Sequence, residues 1–385
     1  MKTLLISEIF PPQHGGSGRW FWEIFRRFQD DQFVIAAGEA PSHASFDQEH
    51  DLDIARMPLR MSAWGLRSVA GLKGYLRSYR QLSQLMRSRQ ATHVQAARCL
   101  PEGVMALSLK LRFGLPYICY VHGEDVNSAA RSRELSFLVR QVFKSASLII
   151  ANSRNTERIL SSDWNLPATK LRLLYPGVDI GKFVPATRCA ATRARLGWDD
   201  RPVILTVGRL QQRKGHDQLI RALPRIREQF PRVLYAIVGD GDMRATLEAL
   251  SKEVGVAEHV QFCGAPHDGE LVERYQQCDL FALPNREING DIEGFGMVLL
   301  EAQACGKPVV AGASGGTAET MRVPETGRIV PCEGPELLAE TVIELLANPE
   351  LRATMGHAAR DWVEKQFSWE TLSRQAGDLF GIELR

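Results

Sequence analysis

Short runs rich in Val, Ile, Leu and aromatic residues alternate with longer amphipathic patterns along 385 residues, which predicts an α/β chain of doubly wound parallel sheets. The length suits two domains. A turn-rich stretch, Tyr175-Pro176-Gly177-Val178-Asp179, separates one set of strand-like runs from the next. The expected division is residues 1–175 and 176–367, with a last helix near 368–385. The 44% hydrophobic content is ample for two cores. No apolar run approaches the roughly 18 residues that a bilayer requires.

In the first half, residues 3–7, 33–37, 92–96, 117–121 and 148–152 have the length and apolar continuity of strands buried on both faces. The second half repeats the pattern at 202–207, 234–238, 259–262, 280–283 and 308–311. Beyond Gly334-Pro335, apolar spacing predicts helices over 336–347, 351–366 and about 368–379. The N-terminus enters directly as a strand without a secretory pattern. Seven scattered cysteines show no metal-ligand or redox spacing, as expected of reduced thiols in a cytoplasmic protein.

The loops at the carboxyl ends of these strands carry the chemistry, because open α/β sheets bind ligands there. After the first strand comes Phe10-Pro11-Pro12-Gln13-His14-Gly15-Gly16-Ser17-Gly18. Its glycines let backbone N–H groups approach a phosphate, or simply make a turn. It is neither a dinucleotide fingerprint nor a Walker loop. His122 ends another strand, placed for proton transfer or for a structural hydrogen bond. Asn152-Ser153-Arg154 ends a third, where helix capping is the simplest role.

In the second half, Val207-Gly208-Arg209 leads to Lys214-Gly215, two cations suited to a diphosphate or merely solvated. Residues 293–301 place Glu293 before, and Glu301 about two turns into, a helix expected to start near Phe295. That helix start is a seat for phosphate. A ligand with hydroxyls at both ends and phosphates between would satisfy both carboxylates, as a nucleotide sugar does. A helix cap plus a surface glutamate is the plainer alternative. Asp240-Gly241-Asp242 matches a metal-binding D-x-D but follows a strand and precedes a helix, so turn and N-cap duty is expected. Arg209 and Lys214 neutralise phosphate without a metal, and no cofactor is expected.

These motifs together resemble glycosyltransferase family four: Val-Gly-Arg-Leu…Arg-Lys-Gly, Ile-Val-Gly-Asp-Gly, Glu293…Glu301, and the 301–316 run Glu-Ala-Gln-Ala-Cys-Gly-Lys-Pro-Val-Val-Ala-Gly-Ala-Ser-Gly-Gly. Residues 284–320 look most like GDP-mannose-dependent mannosyltransferases, phosphatidylinositol mannosyltransferases included. The resemblance implies the GT-B architecture, two Rossmann-like domains facing across a cleft that closes on its substrates. The last helix then joins the first, acceptor-side domain, and the second binds the nucleotide sugar. It implies a retaining transfer. Arg209, Lys214, Gly15 and Gly16 meet the donor diphosphate. Glu293 with the Gly294-Phe295-Gly296 backbone meets the sugar, and Glu301 the ribose. His122 lines the reaction centre, with His14, Ser17 and Asp125 toward the acceptor. A UDP-sugar transferase shares every motif, and a nucleotide-sugar epimerase or a silent binding protein of this shape remains open. Glu319, in Gly315-Gly-Thr-Ala-Glu319, is as well explained by a helix start.

Charge adds a partner. Residues 1–172 hold 23 Lys and Arg against 15 Asp and Glu, whereas the remainder holds 24 against 30. From Ile54 to Pro101 there is no acidic residue. Arg56, Arg60, Arg67, Lys73, Arg77, Arg80, Arg87, Arg89 and Arg98 lie there among leucines, methionines, Trp64, Tyr75 and Tyr79. Leu76, Tyr79, Leu82, Leu85 and Met86 have near-helical spacing. A basic amphipathic helix beside a mobile-looking loop suits an anionic membrane surface through residues 54–98, or a core-facing helix with a solvated basic side. Nucleic acid is a poor fit, since the second half is acidic and no recognition motif occurs. The expectation is a cytoplasmic, peripheral enzyme moving a hexose, mannose from GDP-mannose foremost, to a lipid or lipid-linked acceptor.

Overall fold

A computed structural model describes every residue except Met1, His14, His267, Glu383 and Arg385, and all side chains of those except Asp30 and Asp268. The chain divides into two compact units, Met1–Pro176 with Trp369–Arg385, and Gly177–Ser368.

The first unit is a seven-stranded sheet: β1 (Thr3–Ser7), β2 (Phe33–Gly38), β3 (Ile54–Met57), β4 (His93–Ala96), β5 (Tyr117–Val121), β6 (Leu148–Ala151) and β7 (Leu171–Leu173). Its order is β3-β2-β1-β4-β5-β6-β7 and each of these pairings is parallel. The helix Trp369–Phe380 belongs to this unit, where the Phe380 ring lies 6.4 Å from Phe28 and Glu370 pairs with Arg27 at 3.1 Å.

The second unit holds six strands: β8 (Val203–Val207), β9 (Leu234–Val238), β10 (Val260–Gly264), β11 (Leu280–Leu283), β12 (Val309–Gly312) and β13 (Gly327–Val330). Its order is β10-β9-β8-β11-β12-β13, again parallel throughout. Leu223, Ile226, Tyr235 and Ile237 are fully buried in its core, each worth about 2 kcal/mol by burial. In both sheets the strand order reverses once, between β1 and β4 and between β8 and β11. Chain connections leave in opposite directions there, so the carboxyl ends open a crevice.

Three strands escape sequence reading: β3, β7 and β13. All are edges. An edge strand is covered less completely, so Ile54–Met57 carries Arg56, Leu171–Leu173 carries Arg172 and Gly327–Val330 carries Arg328, breaking the apolar run.

The basic segment forms a helix, Val69–Arg89, whose inward side is Tyr75, Ser78, Leu82, Ser83 and Met86. The expected apolar stripe is therefore rotated: Leu76 is exposed and Tyr75 takes the inward place. Nor is the preceding loop loose. Tyr75 donates its hydroxyl to Trp64 O at 2.9 Å, Arg77 donates to Pro58 O at 2.7 Å, and Glu134 accepts from Arg67 N at 2.8 Å. Three of the expected surface cations are spent internally. Arg56 pairs with Asp47 at 2.6 Å, Arg89 with Asp53 at 2.8 Å, and Arg98 with Glu8 at 2.9 Å. Arg87 stacks over the Phe113 ring at 5.0 Å.

Candidate active site

The β8 and β11 loops meet at the strand-order reversal of the second unit. Gly215 makes this possible: its φ is +73°, and a Cβ there would stand 1.7 Å from Pro284 O. Arg286 N donates to Arg213 O at 2.8 Å, tying the same two loops together. The tight turn Gln212–Lys214 then directs both of its last side chains inward. Lys214 Nζ donates to Glu293 Oε2 at 2.5 Å and Arg213 Nη1 donates to the same oxygen at 2.8 Å. Arg213 Nε also lies 3.2 Å from Asp291. Burial alone would raise the Glu293 carboxyl pKa. The Lys214 ammonium and Arg213 guanidinium outweigh it and hold the group below the usual carboxylate range.

The β12 loop fixes Glu293 from the other side. Glu293 N donates to Ser314 Oγ at 3.3 Å and Gly316 N donates to Glu293 O at 3.0 Å. Gly315, at φ +56°, packs so close that a Cβ would fall 1.8 Å from Glu293 O. Three strand ends therefore hold one carboxylate. Arg209, on the β8 loop, is exposed at its side chain, while its carbonyl faces His216 Nε2 at 3.4 Å. His216 also bonds the Tyr235 hydroxyl at 3.1 Å, and burial lowers its pKa to about 4.

Phe295 is buried with its ring 5.8 Å from Phe367, leaving its backbone and that of Gly294 to shape the loop. Gly296, at φ +97°, ends that loop and caps the helix Met297–Ala304. No side chain caps this helix and no acid sits in its first turn, so its leading N–H groups suit an anion. The start is two residues later than expected, because Gly296 takes the left-handed conformation. Glu301 consequently lies about 6 Å along the helix, just over one turn in rather than two. It is buried, and its Oε2 accepts from the Tyr275 hydroxyl at 2.7 Å.

In the first unit, Gly15 precedes the helix Gly16–Phe25, and a Cβ on Gly15 would meet Ile9 Cγ2 at 2.7 Å. Gly16 is exposed and Ser17 half-buried; His14 lies outside the described residues. The same helix sets Trp20 and Phe21 edge-on to the His122 ring at 5.6 and 6.3 Å. His122 Nε2 lies 2.8 Å from Ala97 O. A carbonyl only accepts, so Nε2 carries the proton and Nδ1 is the basic nitrogen of the neutral ring. Asp125 accepts from His122 N at 3.1 Å and Val126 N at 2.9 Å through Oδ1, and from the Cys99 thiol at 3.3 Å through Oδ2. Ser153 caps the helix Arg154–Ser162.

Asp240 accepts from Gly241 N at 2.8 Å, a turn bond. The expected N-cap duty of this motif goes instead to Met243, because the helix Arg244–Glu253 starts beyond Asp242. Sequence reading passed over Arg213, Asp291, Tyr275 and Ser314. The Arg213-Lys214 pair was visible, but not that both side chains turn inward.

Comparison with known proteins extends this picture. A family described as "Glycosyltransferase Family 4" matches residues 14–182, and one described as "Glycosyl transferases group 1" matches 190–362. The chain is 32% identical to a GDP-mannose-dependent monoacylated alpha-(1-6)-phosphatidylinositol monomannoside mannosyltransferase of Corynebacterium glutamicum, covering 100% of this chain and 99% of that one. It is 39% identical to a GDP-mannose-dependent alpha-(1-6)-phosphatidylinositol monomannoside mannosyltransferase of Mycolicibacterium smegmatis over 68% of this chain and 69% of that one. Among solved structures, Anabaena HepE in complex with UDP superposes with a TM-score of 0.82 at 21% identity, covering 99% of this chain and 100% of that one. Sucrose-phosphate synthase from Thermosynechococcus elongatus gives 0.81 at 22%, covering 99% and 98%. Those two likenesses establish the GT-B fold.

Proposed function

The chain belongs to glycosyltransferase family four, and from that premise we propose that it transfers mannose from GDP-mannose, with retention, to a lipid or lipid-linked acceptor at a membrane surface. The observation that carries this reading is the convergence of Lys214 and Arg213 on Glu293 beside an uncapped helix start. Lys214 and Arg213 both donate to Oε2, and Oε1 is the oxygen we assign to donor-sugar hydroxyls. Lys214 and the exposed Arg209 meet the diphosphate. Their charges, with the first N–H groups of Met297–Ala304, stabilise the negative charge that grows as the glycosidic bond breaks. Glu301, oriented by Tyr275, accepts from the ribose hydroxyls.

In the first unit we assign Gly15, Gly16 and His122 to positioning the donor, and Ser17 and Asp125 to the acceptor. The acceptor hydroxyl attacks the anomeric carbon on the face the diphosphate leaves. As the new C–O bond forms, the departing phosphate oxygen takes the hydroxyl proton. The names of the relatives support GDP-mannose and a phosphatidylinositol-type acceptor. No described helix is long and apolar enough to cross a membrane, so we propose peripheral attachment on the cytoplasmic face through the basic helix.

A panel of GDP- and UDP-sugars tests the donor, because a ligand bound to the native state raises Tm. GDP-mannose should give the largest rise, and slow hydrolysis without acceptor should release GDP. Preference for a UDP-sugar overturns the donor assignment. An epimerised donor formed without acceptor overturns the reaction class.

A further inference from the structure

Arg56 sits on the edge strand β3 (Ile54–Met57), in the acid-free stretch of the chain, yet only 7% of its side chain is exposed. Burying a cation is costly unless its donors find partners. Here three separate segments supply them. Nε donates to Asp47 Oδ2 at 3.0 Å and Nη2 to Asp47 Oδ1 at 2.6 Å, a forked pair. Nη1 donates to Gly38 O at 3.0 Å and Nη2 to Pro11 O at 2.5 Å. Four of the five N–H donors of the guanidinium are thereby engaged. The guanidinium also lies 5.8 Å from the centre of the Phe10 ring, within cation–π range.

Two of those partners, Phe10 and Pro11, belong to the glycine-rich loop between β1 and the helix Gly16–Phe25. The base of this loop closes on Ile9. A Cβ on Gly15 would meet Ile9 Cγ2 at 2.7 Å, and one on Gly18 would meet Ile9 O at 2.7 Å. Gln13 N donates to Phe10 O at 3.2 Å, so Pro11 and Pro12 form the bend. Asp47 lies on the helix His43–Gln48, none of whose residues is fully buried, so no core sets its place. Instead Phe46 and His50 set their rings 4.9 and 4.3 Å from that of Trp22, on the helix Gly16–Phe25. One excursion of the chain, residues 39–53, therefore holds the bend of the loop through Asp47 and Arg56. The same excursion holds the helix that the loop opens.

We propose that Arg56 is a positioning residue for the transfer, fixing the Phe10–Gly16 loop so that the N–H groups of Gly15 and Gly16 face the donor diphosphate. Glycine lets a backbone approach a phosphate closely, and leaves it equally free to move away. A planar fork that reaches two carbonyls and a carboxylate together removes that freedom, and the single ammonium of a lysine does not span them. Rate is sensitive to such placement, since a shift of about 1 Å costs on the order of 100-fold. The proposal rests on the reading of the chain as a glycosyltransferase with this loop on the donor. Because Lys214, Glu301 and the start of the helix Met297–Ala304 are assigned to GDP from the second unit, Arg56 acts on kcat far more than on nucleotide affinity.

The test uses the full chain and follows GDP release from GDP-mannose in the presence of a lipid extract as acceptor. Arg56→Lys should lower kcat about 30-fold. Its GDP affinity by calorimetry should stay within about threefold of the native value. Arg56→Ala should lose more, and millimolar methylguanidinium should restore its kcat about tenfold where methylammonium does not. In hydrogen exchange, the amides of Gly15 to Gly18 should exchange about tenfold faster in Arg56→Lys, with those of β1 unchanged. Native kcat in a folded Arg56→Lys would overturn the proposal, as would unchanged exchange at Gly15 to Gly18. So would a parallel loss of kcat, GDP affinity and Tm without rescue by methylguanidinium, the mark of a residue that only holds the fold. Should Arg56→Ala not fold, Arg56→Lys and Asp47→Asn carry the test, the latter losing about fivefold in kcat at native GDP affinity. A native chain that releases no GDP from GDP-mannose fails the functional reading, while the exchange measurement still decides whether Arg56 fixes the loop.

Discussion

Replacing Glu293 by glutamine keeps the side chain's shape and removes its charge. Lys214 and Arg213 both donate to Oε2, at 2.5 and 2.8 Å, so their charges stand no more than about 5 Å apart. Two unit charges at that separation repel by about 3 kcal/mol at an effective dielectric of about 20. Asp291, half-exposed beside Arg213, offsets part of this. Glu293→Gln should then lose roughly 2 kcal/mol of stability, about 4–8 °C in Tm for units of this size. A diphosphate delivered to Lys214 restores negative charge beside the pair. Saturating GDP should therefore raise the Tm of Glu293→Gln by more than it raises that of the native protein, while sugar transfer falls about 100-fold. Differential scanning fluorimetry with and without GDP reads the first effect, and GDP release with acceptor present reads the second. A smaller GDP-dependent gain in the variant would refute the reasoning, since Lys214 would then not face the diphosphate.

Three further outcomes follow from the same geometry. Gly315→Ala should leave a folded protein by circular dichroism yet cut kcat about 100-fold, because its Cβ would displace the Glu293 carbonyl now 1.8 Å from that point. Glu301→Ala should weaken GDP itself about tenfold in calorimetry, with Tyr275→Phe affecting it less; equal GDP affinity in Glu301→Ala and native protein would remove the ribose role. His216, with its pKa lowered to about 4 by burial, is neutral when folded, whereas the unfolded chain takes up a proton below about 6.5. Stability should fall as pH drops from about 6.5 toward 4, and His216→Gln should flatten that slope in urea titrations.

Buried, continuous strands were legible in the sequence because both of their faces are covered, as in β1, β5, β8, β9 and β11. Three of the four edge strands were not, since partial exposure admits the charges that interrupt β3, β7 and β13; the edge strand β10, free of charges, was legible. The loops of the candidate site were legible for the same reason: each directly follows a buried apolar strand. Which way a loop charge points depends on backbone turns. Gly215 and Gly296, both left-handed, turned Arg213 inward and delayed the helix before Glu301. Long-range pairing was equally hidden. Arg56, Arg89 and Arg98 looked like surface charge only until Asp47, Asp53 and Glu8 were brought beside them.

The transfer itself is tested most directly by incubating the full chain with GDP-mannose radiolabelled in the sugar and an acidic lipid extract, then measuring label in the organic phase. The account predicts lipid-borne label matched by released GDP and abolished by Glu293→Gln. Label confined to the aqueous phase while a UDP-sugar donor labels the lipid would contradict it.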